Sequence, residues 1–119
     1  MSNYTFNPKY ITKSDDSIAE AIVNNLKELD SFNGIGIEKT YDIKYVGSAT
    51  IRYIGRERSK GKAEEMLFDD IKTTFRTLKS LSVFNTNTEI LKEKFPSVMY
   101  RMRSQLFAIL LETGIIVKV

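Results

Sequence analysis

The sequence predicts a single α+β domain that spans residues 1–119. Two segments place apolar residues at helical spacing, a pair of short segments between them alternates apolar and polar residues, and the last five residues have the composition of a strand. We therefore expect a small antiparallel sheet, made of a hairpin and the C-terminal strand, with about three helices in a single layer on one of its faces.

The first element, residues 1–13, is predicted to be an extended N-terminal arm that carries Tyr4, Phe6 and Tyr10 among polar neighbours. Pro8 blocks a helix at this point and favours an extended backbone just before it. The arm either lies across its own domain or docks its aromatic side chains onto another subunit or partner, and the composition does not choose between the two.

The first helix is predicted to follow Ser14, an N-cap whose hydroxyl can accept a hydrogen bond from a free N–H group of the first turn. We expect Asn33-Gly34 to end the helix, and residues 35–46 to form the first strand region. The apolar residues of the helix recur at spacings of four, four and three and are Ile18, Ile22, Leu26 and Leu29.

Residues 41–46 and 49–55 are predicted to form the hairpin. Gly47 lies at its turn, where glycine accommodates the positive φ of a tight connection. The apolar residues that alternate onto one face are Tyr41, Ile43, Tyr45, Ile51 and Tyr53. We expect the three tyrosines to be buried or half-buried in the core rather than to form a base-stacking platform.

A basic connector, residues 56–62, leads from the hairpin towards the second helix, for which Ser59 is the predicted N-cap. Together with Arg52, it carries five positive charges and one negative charge within eleven residues. The helix is predicted to begin at Ala63, with Leu67, Ile71, Phe75 and Leu78 on the same face. Carboxylates that favour its early turns are Glu64, Glu65, Asp69 and Asp70.

Three elements are predicted after the second helix. A short helix covers residues 89–95, Pro96 separates it from a longer last helix, and Thr113-Gly114 ends that helix before a strand at residues 115–119. A helix that is apolar over more than half of its circumference lies in the core or meets a partner. The apolar residues of the last helix are Val98, Met102, Leu106, Ile109 and Leu110 on one face and Tyr100, Phe107 and Leu111 on another.

The chain contains no Cys, His or Trp. This composition excludes disulfides, zinc sites built from Cys or His, and nucleophilic catalysis by Cys/His or Ser/His pairs. We expect no catalytic residue, no metal and no other cofactor, so an enzyme is not the favoured interpretation. No apolar run approaches the roughly 20 residues that span a bilayer, and no secretory signal is visible, so we expect no membrane partner and a cytoplasmic location, or the virion for a viral protein.

The favoured interpretation is a non-enzymatic protein that binds duplex nucleic acid. The net charge of +3 permits such a partner, and Lys and Arg are the side chains that contact phosphates. The alternative for the basic connector is a solvated loop that keeps the domain soluble. The candidate phosphate contacts are Arg52, Arg56, Arg58, Lys60, Lys62, Arg101 and Arg103.

The segment Gly-Arg-Glu-Arg-Ser-Lys-Gly-Lys-Ala-Glu at residues 55–64 resembles the last strand and second-helix start of double-stranded-RNA-binding domains, where a Ser-Lys-Lys-x-Ala-x pattern opens the helix. The resemblance covers about a third of the chain. It implies that Lys60, together with Lys62, reaches phosphates across a groove. Gly61 stands where that family prefers a second lysine, larger residues replace its alanines at 66–68, and residues 85–119 have no counterpart in it.

The C-terminal segment is similar to the second and third helices and the first wing strand of winged-helix domains. This similarity implies that Arg101 and Arg103 lie on a helix that faces a nucleic-acid groove. The chain ends before a second wing strand.

A second interpretation is a structural or assembly protein of viral origin, because the order of elements is similar in outline to that of small phage tail-terminator and tail-completion proteins. Such a chain would be an oligomeric tail or neck subunit, or a small inhibitor that docks on a larger protein. The residues proposed for a partner or oligomer interface are Tyr4, Phe6, Tyr10, Tyr100 and Phe107.

A third interpretation is a Mg²⁺-dependent nuclease. Asp42-Ile43-Lys44, with Glu20 and Asp30 before it, has a faint likeness to the Asp/Glu-x-Lys pattern of such enzymes, in which carboxylates hold the metal. Alternation along a strand already places Asp42 and Lys44 on an exposed face, so we regard the pattern as a surface pair.

Overall fold

The computed structural model describes residues 2–36, 38–56 and 63–119. These residues form two antiparallel sheets and six helices, so the predicted α+β class is confirmed. The strands are β1 (Tyr4–Phe6), β2 (Ser31–Asn33), β3 (Thr40–Val46), β4 (Thr50–Gly55), β5 (Glu64–Leu67) and β6 (Ile116–Lys118). The helices are α1 (Pro8–Ile11), α2 (Asp15–Leu26), α3 (Phe68–Ser80), α4 (Ile90–Lys94), α5 (Ser97–Arg101) and α6 (Arg103–Glu112).

Helix α2 begins where the sequence predicted. The Ser14 hydroxyl accepts a hydrogen bond of 3.1 Å from the backbone N–H of Ser17, which satisfies a donor of the first turn. The helix ends at Leu26, however, and not at Asn33-Gly34. Residues 31–33 form β2 instead, because Phe32 is buried and stacks on Tyr41 of β3 with ring centroids 5.0 Å apart.

The second sheet contains four strands in the order β2-β3-β4-β5, and the predicted hairpin is its centre. Strands β3 and β4 pair antiparallel, and the Gly47 N–H donates to the Thr50 carbonyl at 3.0 Å. Gly47 does not adopt the positive φ that we predicted. A Cβ at this position would lie 2.5 Å from the Tyr45 hydroxyl, so a larger residue here would displace the exposed Tyr45 side chain.

A bulge in β3 decides which tyrosines are buried. The register with β4 shifts between Ile43 and Tyr45, so Lys44 is an extra residue and Tyr45 moves to the outer face, opposite Arg52. Tyr41 and Tyr53 are buried, as predicted, whereas Tyr45 is 52% exposed. The predicted alternation is wrong from Tyr45 onwards, because the extra residue moves each following side chain to the opposite face of the sheet.

Strand β5 replaces the predicted start of the second helix. Its register with β4 sets Met66 beside Ile51 and Glu65 beside Arg52, and Met66 is buried. The predicted helical start at Ala63 is therefore wrong, and the predicted N-cap Ser59 lies outside the described residues.

Helix α3 begins at Phe68, immediately after β5. Asp69 and Asp70 lie in its first turn, as predicted, while Glu64 and Glu65 belong to the strand. The buried face of the helix consists of Phe68, Ile71, Thr74, Phe75 and Leu78. The predicted helical face is thus confirmed for Ile71, Phe75 and Leu78 but wrong for Leu67, which lies in β5 and is exposed. The cross-strand contacts of residues 64–67 favour a strand over another helical turn.

Residues 4–11 form two regular elements and not an extended arm. Strand β1 pairs antiparallel with β6, and Tyr4 also exchanges backbone hydrogen bonds of 2.8 and 2.9 Å with Phe84. Pro8 occupies the first turn of α1, where a backbone N–H would have no acceptor within the helix. The prediction that Pro8 blocks a helix is therefore wrong. The C-terminal strand pairs with the N-terminal strand, whereas we predicted that it would join the hairpin.

The C-terminal third contains α4, α5 and α6. Pro96 follows the short helix α4, as predicted, but the long last helix is divided in two at Met102, whose φ of −101° and ψ of 16° interrupt helical geometry. Gly114 has a φ of +78° and ends α6, as predicted. Five consecutive residues of α6, 106–110, are buried, which confirms its central place in the core.

The helices cover one face of the four-stranded sheet. Ile51, Tyr53 and Met66 from its inner face belong to the same buried cluster as residues of α2, α3 and α6. The outer face carries exposed Lys44, Tyr45 and Arg52. Among the described residues, the structure contains no helix that is both long and apolar enough to cross a bilayer.

Candidate nucleic-acid interface

Arg52, the first cation of the predicted site, projects from β4 onto the outer face of the sheet. Its Nε donates to Glu65 Oε2 at 2.8 Å, and its guanidinium lies 5.6 Å from the centroid of the Tyr45 ring. The hydrogen bond from Arg52 lowers the pKa of Glu65, and the same bond raises the pKa of Arg52. The charge of Arg52 is therefore already offset within the sheet.

Arg56 follows β4 and is likewise paired with a carboxylate. Its Nη2 and Nε donate to Asp42 Oδ1 at 2.7 and 3.2 Å. The hydrogen bond from Arg56 lowers the pKa of Asp42. Asp42 is thus the partner of an arginine, and residues 2–36, 38–56 and 63–119 contain no group of three or more acidic, His or Cys side chains that could hold a metal ion.

The remaining cations of the predicted connector, Arg58, Lys60 and Lys62, lie outside the described residues. The end of the connector pattern, Ala63 and Glu64, is described and leads into β5. In double-stranded-RNA-binding domains the corresponding pattern opens a helix, so this segment differs from them in its local structure. The connector residues stay predicted contacts.

Arg101 and Arg103 have different environments although two positions separate them. Arg103 donates from Nε to the Thr86 carbonyl at 2.6 Å and from Nη1 to the Tyr100 carbonyl at 2.8 Å, and its guanidinium carbon lies 4.1 Å from the centroid of the Tyr100 ring. Arg101 is exposed at the end of α5. Arg103 therefore contacts its own fold, whereas Arg101 has no such contact among the described residues, and both arginines stay predicted phosphate contacts.

The aromatic residues predicted for a partner interface lie mostly inside the chain's own core. Tyr4, Phe6 and Phe107 are 4%, 1% and 0% exposed, and Tyr4 and Phe107 contact each other edge to face. Tyr10 and Tyr100 are half-buried. Three of the five residues are thus not accessible to a partner in this fold.

A second group contains four cations on three helices that pack against one another, α3, α4 and α5. Within the described residues, none of the four side chains forms a hydrogen bond or an ion pair. We call this group the helical cations, and its members are Arg76, Lys92, Lys94 and Arg101, all exposed. Only Arg101 was identified from the sequence.

The signal for the helical cations was present in the distribution of charge along the chain. Residues 71–119 contain eight Lys and Arg but only three Asp and Glu, whereas the first 70 residues contain ten and twelve. The basic connector drew attention because its charges lie close together in the sequence. Arg52 and Arg56, however, meet Glu65 and Asp42 of neighbouring strands, and the sequence does not show those neighbours.

The sequence matches no family model, no curated protein and no solved structure. Function is therefore inferred from the chemistry of the side chains and their placement.

Proposed function

We propose that this protein is a non-enzymatic nucleic-acid-binding protein that contacts phosphates through the helical cations. The observation that carries the proposal is the placement of four exposed cations without carboxylate partners on three mutually packed helices. Phosphate contacts by Lys and Arg release counterions from the nucleic acid and supply most of its sequence-independent affinity. Binding is therefore expected to depend on backbone charge more than on base sequence.

A cation that has a carboxylate within hydrogen-bond distance must give up that contact when it binds a phosphate. Arg52 and Arg56 would have to exchange Glu65 and Asp42 for the nucleic acid, whereas the helical cations exchange only water and mobile ions. This difference favours the helical cations over Arg52 and Arg56 as phosphate contacts. Arg58, Lys60 and Lys62 remain additional candidate contacts.

The test is fluorescence anisotropy with a short labelled duplex over a series of salt concentrations. The variant in which all four helical cations are replaced by Ala is expected to lose roughly tenfold in affinity for each contact removed at about 50 mM salt. The slope of log K against log[salt] should fall by about 3 to 4 in magnitude, since each phosphate contact contributes about 0.9.

A control variant removes the same amount of charge from other exposed positions, Lys9, Lys27, Lys44 and Lys118. We expect it to retain most of the affinity and of the salt slope. Equal losses in the two variants would mean that only net charge matters, and the absence of binding by the native chain at low salt would refute the proposal.

The alternative of a viral assembly subunit or a docking inhibitor stays a prediction. Its support was the aromatic arm and the doubly apolar last helix, and both are used in the chain's own core. Light scattering after size-exclusion chromatography tests it, because a defined ring or larger oligomer that ignores the duplex would favour assembly.

A further inference from the structure

A groove between α3 and α4 brings two of the helical cations together. It has a volume of about 610 Å³, within the range of sites that bind small molecules and cofactors. Arg76 lines it from α3 and Lys94 from α4. Both side chains are exposed, and neither has a hydrogen-bond or ion-pair partner within the described part of the chain. Two positive groups thus face one concave space.

Three hydroxyl groups of α3 line the same groove, but only one of them is free to donate a hydrogen bond. The Thr73 hydroxyl donates to the Asp70 carbonyl at 2.5 Å, and the Ser80 hydroxyl donates to the Thr77 carbonyl at 2.6 Å. The Thr77 hydroxyl has no partner among the described residues. The donors that face the groove are therefore those of Thr77, Arg76 and Lys94.

No carboxylate from the described residues lines this groove. A smaller depression of about 380 Å³ beside β3 differs in this respect, since a carboxylate, Glu38, lines it together with Lys39. The groove between α3 and α4 also contains the apolar side chains of Leu81 and Ile90. The groove therefore has cationic and hydroxyl donors that suit an anion, and apolar side chains that suit an apolar group attached to that anion.

We propose that the groove between α3 and α4 binds a phosphate group, with Arg76 and Lys94 supplying charge and the Thr77 hydroxyl donating a hydrogen bond. A phosphate of a nucleic-acid backbone and that of a free nucleotide present the same chemistry to these donors. The role of the groove in nucleic-acid binding rests on the function proposed above, whereas phosphate recognition by the groove does not.

The most specific test is Thr77→Val, because it keeps the shape of the side chain and removes a donor without removing charge. We expect it to weaken binding roughly tenfold, the effect of a hydrogen bond to a charged group, and to leave the salt slope unchanged. Thr73→Val is the matched control on the same helix and in the same groove. The Thr73 hydroxyl already donates to the backbone carbonyl of Asp70, so we expect little change in affinity.

The charged residues have a matched control of their own on α4. Arg76→Ala and Lys94→Ala should each weaken binding roughly tenfold at low salt and reduce the salt slope by about 0.9. Lys92 is exposed on the same helix as Lys94 but does not line the groove. Lys92→Ala should therefore change binding of a mononucleotide little, even if it weakens duplex binding.

The probes are a labelled duplex, AMP and inorganic phosphate, with AMP and phosphate titrations followed by NMR of the backbone amides. The proposal is supported if either the duplex or AMP binds and Thr77→Val weakens it more than Thr73→Val does. Binding of AMP without binding of the duplex would keep the phosphate site and refute the proposed nucleic-acid function. If the native chain binds none of the three probes, or if Thr77→Val and Arg76→Ala bind as tightly as the native chain, the groove assignment is wrong.

Discussion

The outer face of the sheet and the surface of the helical cations both carry exposed Lys and Arg side chains. Carboxylates contact the arginines of the outer face but, within the described residues, not the helical cations. Arg52 and Arg56 each contact a carboxylate at 2.8 and 2.7 Å, and these acids come from neighbouring strands, Glu65 from β5 and Asp42 from β3. Arg76 and Lys94 on α3 and α4 have no such partner among the described residues. The same side-chain types are thus neutralised in one region and open to an anion in the other.

Secondary structure explains part of this difference. Strands place the side chains of different chain segments directly opposite one another, so a distant acid can meet a strand cation. On a helix the nearest neighbours are three and four positions away. Around Arg76 these positions hold Lys72, Thr73, Lys79 and Ser80, none of them acidic. Local sequence therefore leaves Arg76 without a partner on its own helix.

The largest expected effect separates a cation that stabilises the fold from those that bind. Arg103→Ala removes two hydrogen bonds to backbone carbonyls and a contact with the Tyr100 ring, and should lower the free energy of unfolding by roughly 2 kcal/mol. Thermal denaturation should show a Tm lower by roughly 5 to 10 °C. Arg101→Ala, in contrast, should leave the Tm nearly unchanged because Arg101 is exposed and without partners in the described chain.

Arg103→Lys sharpens this expectation. Lysine keeps the charge but lacks the planar fork that reaches two carbonyls at once, so most of the loss in Tm should persist. A Tm equal to that of the native chain would show that charge alone, and not the hydrogen-bond geometry, matters at this position.

An intermediate effect is expected when the carboxylates of the outer face are removed. The double variant Asp42→Asn and Glu65→Gln removes the carboxylates that Arg56 and Arg52 contact across the sheet. We expect duplex affinity at low salt to increase by up to roughly tenfold for each arginine that gains a phosphate contact.

The control for this variant removes two exposed acids elsewhere, Glu28→Gln and Glu112→Gln, and changes the net charge equally. Anisotropy titrations should show a steeper salt dependence only for the outer-face variant. The same gain in both variants would mean that pairing of the arginines does not limit binding.

The smallest effect concerns the pH dependence of the pairs. Arg52 lowers the pKa of Glu65, so the pair stabilises the fold above the unfolded-state pKa of Glu and loses this contribution as pH falls through the lower pKa of the folded state. In Arg52→Ala the pKa of Glu65 should rise towards its ordinary value, because the hydrogen bond from Arg52 that lowers it is lost. NMR titration of the carboxyl carbons measures this shift, and the pKa of Asp42, which is paired with Arg56, should stay lowered.

Much of the fold could be predicted from local patterns because those patterns coincide with tertiary contacts. Ser14 caps α2, the hairpin pairs as expected, and Gly114 ends the last helix. The environments of the candidate site residues could not be predicted from local patterns. Of the described candidates, Arg52 and Arg56 form ion pairs with carboxylates, and Arg103 donates to backbone carbonyls. Arg101 is the one described candidate that belongs to the helical cations.

The missed features all depend on residues far apart in the chain. Residues 64–67 have helical periodicity, yet they form β5 because Met66 and Glu65 gain neighbours on β4. Lys44 breaks the alternation of β3 and turns Tyr45 outwards, which no local pattern indicates. The partner of Arg52 is thirteen positions away, and the partner of Arg56 is fourteen positions away.

The sequence by itself determined the fold class, the caps and stops of several elements, and the excess of positive charge in residues 71–119. These properties follow from side-chain chemistry and from neighbours within one helical turn or one strand. Only the tertiary structure decided that the two terminal strands pair, that the outer-face arginines are neutralised, and that Arg76 and Lys94 share a groove. The reason is that the effect of a charge depends on the groups that surround it in space.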